Sequence, residues 1–359
     1  MRRFTLAALL VVAVNNSSAQ DAAERGQPCT SASRECTEWV TLPGSSSRAL
    51  VYRTYSLNAR NEDVTHALLM VHGGSRNADD YFRTALTPTF LAGRLHDTVV
   101  IAPRFAANDG QNCTDEISGY ELNFPCGGQT WYVGSAAEND ADVTAYDVID
   151  ELLSDLARKE TFPNLSEIVV AGHSAGGVFV SHYQMTNMVH EELGLPTTYV
   201  AANAGYYAYL DALRPTETAF PVNVAATAPG FGPQNSGDSS PAFETFPDAD
   251  NCTAYNNWPY GLQKRSGYSS RLSDEKLKGQ LVERPMIYLL GALDVRRVSS
   301  PCSRLAQGPN RLAVGFAYGK YVNEKHGADH EIVVVGGCGH NHRCMFSSDT
   351  AGPIIFPEN

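Results

Sequence analysis

Short apolar segments alternate with amphipathic segments along most of the chain. The apolar segments are rich in β-branched residues and end at turn-forming residues. From Ala67 onward most of them are continuous, a pattern typical of strands buried on both faces. Seven strands are predicted on this basis: Ala49–Tyr55, Ala67–Val71, Thr98–Ala102, Glu167–Ala171, Thr198–Ala202, Pro285–Leu290 and Glu331–Val335. Strands separated by helices favour an α/β fold with a mostly parallel central sheet and helices on both of its faces.

Three of the intervening segments place apolar residues at helical spacing. In Ala141–Lys159 these residues recur at intervals of three or four, and Asn139 or Asp140 precedes them as a candidate N-cap. Val178–Glu192 and Leu312–Glu324 have the same character. We therefore predict helices over these three segments.

One long stretch interrupts the alternation of strands and helices. About eighty residues between the strands near Val200 and Pro285 are rich in Gly, Pro, Ser, Asn and Tyr. A loop of this length inside one domain is usually functional. Residues 207–284 are therefore predicted to form a lid or a binding insertion, the alternative being a surface extension held by Cys252.

The N-terminus has the layout of a secretory signal peptide. Arg2 and Arg3 precede the apolar run Phe4–Val14, and the small residues Ser17–Ala19 then offer a cleavage site after position 19. The apolar run is too short to span a bilayer, which argues against the alternative of a membrane anchor. We expect residues 1–19 to be a signal peptide and the mature protein to be secreted or periplasmic.

The cysteines agree with export. All eight lie beyond the signal peptide, and an even number of cysteines in an exported chain indicates disulfide bonds. Eight cysteines allow 105 pairings. Proximity in the sequence suggests Cys29–Cys36, Cys113–Cys126, Cys252–Cys302 and Cys338–Cys344.

Composition and charge narrow the classes of partner. The 359 residues are 43% hydrophobic and 18% charged, which is ordinary for a globular protein. The net charge of −12 opposes binding to nucleic acid or to an anionic membrane surface. We therefore expect a small-molecule substrate, no nucleic acid and no stable membrane insertion. No motif implies a cofactor, and the oligomeric state stays open.

A candidate nucleophile lies between a predicted strand and a predicted helix. The pentapeptide Gly172–Gly176 follows the apolar run Ile168–Ala171 directly. Small residues on either side of Ser174 permit the sharp strand-to-helix turn that exposes a nucleophilic hydroxyl. An enzyme that transfers an acyl group through such a serine also needs backbone amides that stabilise the oxyanion formed during the reaction. The predicted donors are the amides of Ala175 and of Gly74, which lies in His72-Gly73-Gly74-Ser75, with Ser75 as the alternative to Gly74.

The remaining candidates follow later strands. Asp294 ends the segment Leu290–Asp294, and His340 lies behind a glycine after the last predicted strand. A carboxylate that orients a histidine, which in turn activates a serine, is the arrangement used for nucleophilic acyl transfer. Ser174, Asp294 and His340 are therefore the predicted nucleophile, acid and base, with His342 as the alternative base.

On these motifs the chain resembles the α/β-hydrolases from about Ala49 to its C-terminus. Val71–Asn77 and the segment from Gly339 to Phe346 also resemble secreted bacterial and fungal esterases. The resemblance implies a catalytic domain over residues 26–359 that hydrolyses carboxylic esters through an acyl-enzyme. The long tyrosine-rich insertion and the cysteines around the histidine depart from the family pattern, so the substrate class is left open.

Three alternatives stay open at this point. The same triad cleaves amides in serine peptidases. A hydrolase scaffold also serves some non-catalytic binding proteins. Finally, Cys338, His340, His342 and Cys344 alternate along the chain and are ligand types that suit zinc, although we expect no metal because the compartment oxidises thiols.

Overall fold

The central feature of the fold is an eight-stranded sheet with the order β1-β2-β4-β3-β5-β6-β9-β10. The structure, a computed structural model, describes residues 26–127, 130–220, 242–298 and 300–357. The predicted signal peptide at 1–19 and positions 221–241 of the predicted insertion lie outside the described residues. The strands β1 to β10 are Thr37–Thr41, Arg48–Arg53, His66–Val71, Thr98–Pro103, Glu167–His173, Thr197–Ala202, Leu213–Pro215, Phe243–Thr245, Met286–Gly291 and Glu331–Val335.

The predicted, mostly parallel sheet is confirmed. β1 and β2 form an antiparallel pair, β2 is antiparallel to β4, and every other neighbouring pair is parallel. All seven predicted strands are present within a few residues of their expected bounds. The sequence analysis did not predict β1 or the small hairpin of β7 and β8, whose strands are short and partly exposed.

Helices cover both faces of the sheet, as predicted. The α-helices α1 to α8 are Ala78–Leu91, Ala145–Ala157, Ala175–Thr186, Asp274–Glu283, Cys302–Leu305, Arg311–His326, His342–Phe346 and Gly352–Ile355. Short 3-10 helices are Arg34–Cys36, Trp131–Val133, His190–Glu192, Glu217–Ala219 and Gly267–Arg271. In β3, Leu69 and Val71 pack into the core shared with α2, α3 and α6, whereas Leu68 and Met70 pack on the other face with α1 and α7.

Two of the predicted helices have boundaries that differ from the predicted ones. α2 begins at Ala145 rather than Ala141, because Thr144 and Asp147 form a capping box in which each side chain accepts a hydrogen bond from the other residue's amide. The expected caps at positions 139 and 140 are therefore wrong. α3 begins at Ala175, directly after β5 and the following serine, and not at Val178. It ends at Thr186 rather than Glu192, and His190–Glu192 forms a separate 3-10 helix.

All four disulfides join the pairs expected from proximity in the sequence. Cys252–Cys302 connects the predicted insertion to α5, and Cys338–Cys344 encloses the loop after β10. Among the described residues, no helix combines the length and the apolar composition needed to cross a bilayer.

A partly buried carboxyl group links α2, α3 and the predicted insertion. Tyr183 on α3 donates a hydrogen bond of 2.6 Å to Asp150 on α2, and Tyr268 from the predicted insertion donates to the other oxygen. Burial raises the pKa of Asp150 to about 7, against the opposite effect of the two tyrosine hydrogen bonds and the nearby charge of Arg271. Asp147 adds to the increase.

This raised pKa predicts a pH dependence of stability. A carboxyl group with a higher pKa in the folded than in the unfolded protein takes up a proton on folding. Its contribution to the free energy of unfolding therefore falls as pH rises from about 4 to about 7. We expect Asp150→Asn to remove this decline. Urea unfolding of both proteins across that range measures it, and a wild-type minus variant difference that stays constant or grows with pH would contradict the prediction.

Candidate active site

Ser174 occupies a strained turn between β5 and α3. Its φ and ψ angles are 61° and −115°, and its amide donates a 2.9 Å hydrogen bond to the carbonyl of Ala202. A Cβ atom on Gly172 would lie 2.3 Å from the carbonyl oxygen of Gly176, and one on Gly176 would lie 2.3 Å from that of Val71. Both glycines are thus required for the close approach of the backbone segments that hold this serine, as the motif predicted.

Ser174, His340 and Asp294 form one chain of close contacts. The Nε2 atom of His340 lies 2.9 Å from Ser174 Oγ, and its Nδ1 atom lies 2.6 Å from Asp294 Oδ2. The three residues follow β5, β10 and β9, so the parallel strands bring their carboxyl ends to one edge of the sheet. The Asp294 side chain is only 1% exposed. In this geometry His340 can accept the hydroxyl proton while the carboxylate orients the ring.

Asn203 fixes the loops that carry two of these residues. Its side-chain oxygen accepts a 2.7 Å hydrogen bond from the amide of Gly291, and its amide donates a 3.0 Å bond to the carbonyl of Gly339. Asn203, directly after β6, therefore connects that strand to Gly291, which precedes Asp294, and to Gly339, which precedes His340. Sequence analysis missed this residue, although a polar residue directly after a buried strand was an available signal.

His342, the alternative base, lies away from the serine. Its Nδ1 atom is 2.7 Å from Thr84 Oγ1, and its ring stacks on Tyr81 at 4.3 Å. Its Nε2 atom lies 3.8 Å from a carboxylate oxygen of Asp80. Burial lowers the pKa of His342, with Arg343 and His340 adding to the effect and Asp80 opposing it. The side chain is thus occupied by contacts with α1.

Two further histidines are buried around the site. His72 accepts a 3.2 Å hydrogen bond from the amide of Phe105, and burial lowers the pKa of His72 to about 4. The His173 ring lies 4.6 Å from that of His340 and contacts Tyr81. Burial holds the pKa of His173 well below its usual range. Both rings therefore stay neutral, and they support the loops around Ser174 as uncharged packing groups.

The predicted oxyanion donors lie beside each other. A Cβ atom on Gly74 would be 3.9 Å from the Cβ of Ala175, and within the described ranges no group accepts a hydrogen bond from either amide. Arg76 fixes the loop after β3 by donating to the carbonyls of Phe105 and Pro125, at 3.0 and 2.6 Å. Two free amides close to a serine hydroxyl can hold a developing negative charge.

A cavity of about 150 Å³ opens beside the serine. Its lining residues come from five parts of the chain: Tyr132, Ser174, Ala175, Val178, Gly205, Tyr206, Arg304 and Arg311. The two arginines were not predicted from the sequence, because their distance from the serine along the chain hides their closeness in space. They place positive charge next to Ser174.

The disulfide between Cys338 and Cys344 encloses His340 within a short loop. Both sulfur atoms are bonded to each other, so neither is a thiolate. The zinc alternative considered from the sequence requires those thiolates as ligands. His340 instead contacts the serine and the aspartate.

Comparison with known proteins agrees with the fold. The family model described as the alpha/beta hydrolase family matches residues 68–352. No curated protein matches the chain. Two similar solved structures are LpqC, a poly(3-hydroxybutyrate) depolymerase from Bordetella parapertussis, and poly(aspartic acid) hydrolase-1 from Sphingomonas sp. KT-1.

The two structures resemble this chain over most of its length. For the depolymerase the TM-score is 0.57 at 19% identity, with 89% of this chain and 90% of that chain covered. For the poly(aspartic acid) hydrolase the TM-score is 0.55 at 19% identity, with 89% and 98% covered. At this identity the likeness concerns the fold alone. Because the family model extends from β3 to the start of α8, the chain belongs to the alpha/beta hydrolase family.

Proposed function

We propose that this hydrolase cleaves carboxylic esters through an acyl-enzyme, with Ser174 as the nucleophile, His340 as the general base and Asp294 as the residue that orients His340. The observation that carries the proposal is the pair of contacts at His340, 2.9 Å to the serine hydroxyl and 2.6 Å to the carboxylate. Such a hydrogen-bonded series of serine, histidine and aspartate converts a weakly acidic hydroxyl into an effective nucleophile at neutral pH.

In the first half of the reaction Ser174 Oγ attacks the ester carbonyl while its proton passes to His340 Nε2. The carbonyl oxygen becomes negatively charged and accepts hydrogen bonds from the amides of Gly74 and Ala175. The imidazolium of His340 is stabilised by Asp294, and it then gives its proton to the departing alcohol oxygen. The products of this half are the alcohol and an acyl group bonded to Ser174.

In the second half water replaces the alcohol. His340 takes a proton from a water molecule as its oxygen attacks the acyl carbonyl, and the same two amides hold the oxyanion. When the tetrahedral intermediate collapses, His340 returns the proton to Ser174 Oγ and a carboxylic acid is released. Each step uses only side chains and amides of this chain, together with water.

The choice of an ester over an amide is part of the proposal. One similar structure is named for an ester polymer and the other for poly(aspartic acid), an amide polymer, so a shared fold leaves the bond open. The motif around Ser174 and the glycine pair after β3 are typical of esterases. A serine peptidase and a non-catalytic protein on this scaffold are the outcomes that the first test below distinguishes.

The proposal extends to the organisation and location of the chain. We infer a catalytic domain over residues 26–359, interrupted by an insertion at 207–284, and a signal peptide at 1–19 that directs the protein to the periplasm or outside the cell. Four disulfides support this location, because disulfides persist in oxidising compartments. The expected partner is a small ester.

Substitution of the nucleophile is the first test. Ser174→Ala removes the attacking oxygen, so hydrolysis of 4-nitrophenyl acetate should fall by about 10⁴-fold or more. The melting temperature should change little, since the hydroxyl is half-buried and its hydrogen-bond partner in the described part of the chain is His340. Ser270→Ala, at an exposed serine, is the matched control and should retain full activity.

Each alternative to the esterase has its own outcome in this test. Retained turnover in Ser174→Ala would exclude the proposed nucleophile. Faster cleavage of a 4-nitroanilide peptide than of the ester by the wild type would favour a peptidase. The absence of both activities would favour a non-catalytic protein.

The same assay distinguishes the roles of His340 and His342. His340→Ala removes the base and should lower kcat by about 10³-fold, whereas His342→Ala leaves the serine's partner in place and should lower kcat less than about tenfold. Steady-state kinetics with 4-nitrophenyl acetate measures both variants, and their melting temperatures control for folding. A larger loss in His342→Ala than in His340→Ala would reverse the assignment.

A further inference from the structure

The cavity beside Ser174 contains two guanidinium groups that the hydrolytic steps do not use directly. Arg304 lies on α5 and Arg311 at the start of α6, and both line the cavity together with the serine. Their Nε atoms are shielded from solvent, and no described residue accepts a hydrogen bond from either. Buried donors of this kind are rarely left without a partner, so they indicate a missing acceptor.

The charges around the cavity do not balance. Arg311 Nη1 lies 3.8 Å from Asp294 Oδ1, which compensates one positive charge. Arg304 has no carboxylate within ion-pair distance in the described parts of the chain, so one positive charge is left over. Burial lowers the pKa of Arg311, and the charges of Arg304 and Arg296 lower it further while Asp294 raises it. An anion placed between the guanidinium groups would relieve this repulsion.

The backbone that carries Arg304 is held in place. The disulfide Cys252–Cys302 fixes the start of its helix. The side chain of Gln307, just after that helix, exchanges two hydrogen bonds with the backbone of Tyr207, at 2.9 and 2.8 Å. Gly205 leaves room for the guanidinium, since a Cβ there would lie 2.9 Å from Arg304 Nη2. Because the backbone is already fixed, binding of a ligand by Arg304 requires ordering of the side chain alone.

We propose that the acyl group of the substrate is short and ends in a carboxylate, which Arg304 and Arg311 bind in the cavity next to Ser174. This inference rests on the proposed ester hydrolysis and adds the substrate class to it. Guanidinium groups bind carboxylates through charge-assisted hydrogen bonds. The cavity, of about 150 Å³, has room for a group about as large as benzene, which suits a short acyl group with a terminal carboxylate.

The acyl side of the ester is favoured over the alcohol side for a kinetic reason. The acyl group stays bonded to Ser174 through both halves of the reaction, whereas the alcohol must leave after the first. If the cavity lined by Ser174 holds the acyl group, that cavity stays occupied during both halves of the reaction. The net charge of −12 does not oppose this binding, because salt screens distant charges beyond about 8 Å and the arginines are local.

The test compares two esters that differ in charge and hardly in shape. They are mono(4-nitrophenyl) glutarate and 4-nitrophenyl 5-methylhexanoate, in which an isopropyl group replaces the carboxylate. The ratio of kcat/KM for the anionic over the neutral ester, after subtraction of uncatalysed hydrolysis, should exceed one in the wild type. Arg304→Gln should lower the ratio by about 10- to 100-fold, mainly through KM, because it removes a charge-assisted hydrogen bond.

Three further variants identify the cause of that loss. Arg304→Lys keeps the charge and should retain more of the ratio than Arg304→Gln. Gly205→Ala keeps the arginine but displaces its guanidinium, so the ratio should also fall. Arg158→Gln removes a positive charge at an exposed site paired with Asp155, outside the cavity lining, and should leave the ratio unchanged.

Binding of free glutarate separates this inference from the proposed function. Calorimetric titration should detect glutarate binding to the wild type and a loss of at least tenfold in affinity in Arg304→Gln. If neither ester is cleaved, the proposed function fails and the titration alone decides on the carboxylate site. If the neutral ester is cleaved at least as well as the anionic one, or if Arg304→Gln changes neither the ratio nor glutarate affinity, the carboxylate site is wrong while the esterase stands.

Discussion

The backbone conformation of Ser174 is the constraint on which the candidate site depends. A positive φ angle on a residue other than glycine costs about 1–3 kcal/mol, and such a conformation persists only where the surrounding structure enforces it. Here the enforcement comes from β5 before the serine and α3 after it, both buried, and from two glycines that allow the backbones to meet. The result is a hydroxyl that faces the edge of the sheet where β9 and β10 end.

The second requirement is a stable charge at Asp294. A buried carboxylate is unfavourable unless it is paired and hydrogen-bonded. Asp294 meets that condition through His340 at 2.6 Å and through Arg311 at 3.8 Å. Arg311 therefore connects two features of the molecule, since it supports the carboxylate that orients the base and also lines the cavity beside the nucleophile. Arg311 therefore contributes both to the positive charge of the cavity and to the position of the carboxylate that orients His340.

Much of the fold and the centre of the site could be predicted from the sequence because the relevant signals are local. Continuous apolar runs identify buried parallel strands, and the pentapeptide around Ser174 combines a strand, a sharp turn and a helix within a few residues. The edge strand β1 has a partly exposed, mixed composition, and α1 contains Pro88, so neither has a strong periodic signal.

Other parts of the site could not be predicted because they depend on contacts between distant segments. The sequence shows His173 only as a residue beside the nucleophile; its burial depends on α1 and β6. Arg304 and Arg311 resemble many surface arginines until the loop after β6 brings Gly205 against them. Periodicity does not distinguish His340 from His342, which lie two positions apart. What separates them is that one contacts Ser174 and the other contacts Thr84 on α1.

The central claim is that Ser174 is the residue that attacks the substrate, and covalent trapping tests it most directly. A fluorophosphonate reacts with an activated serine and leaves a stable adduct in place of the acyl group. After treatment of the folded protein and proteolysis, mass spectrometry should find one adduct, on the peptide that contains Ser174, and none in protein unfolded before treatment. An adduct on a different serine in protein that has lost its activity, or full inactivation without any adduct at Ser174, would contradict the account.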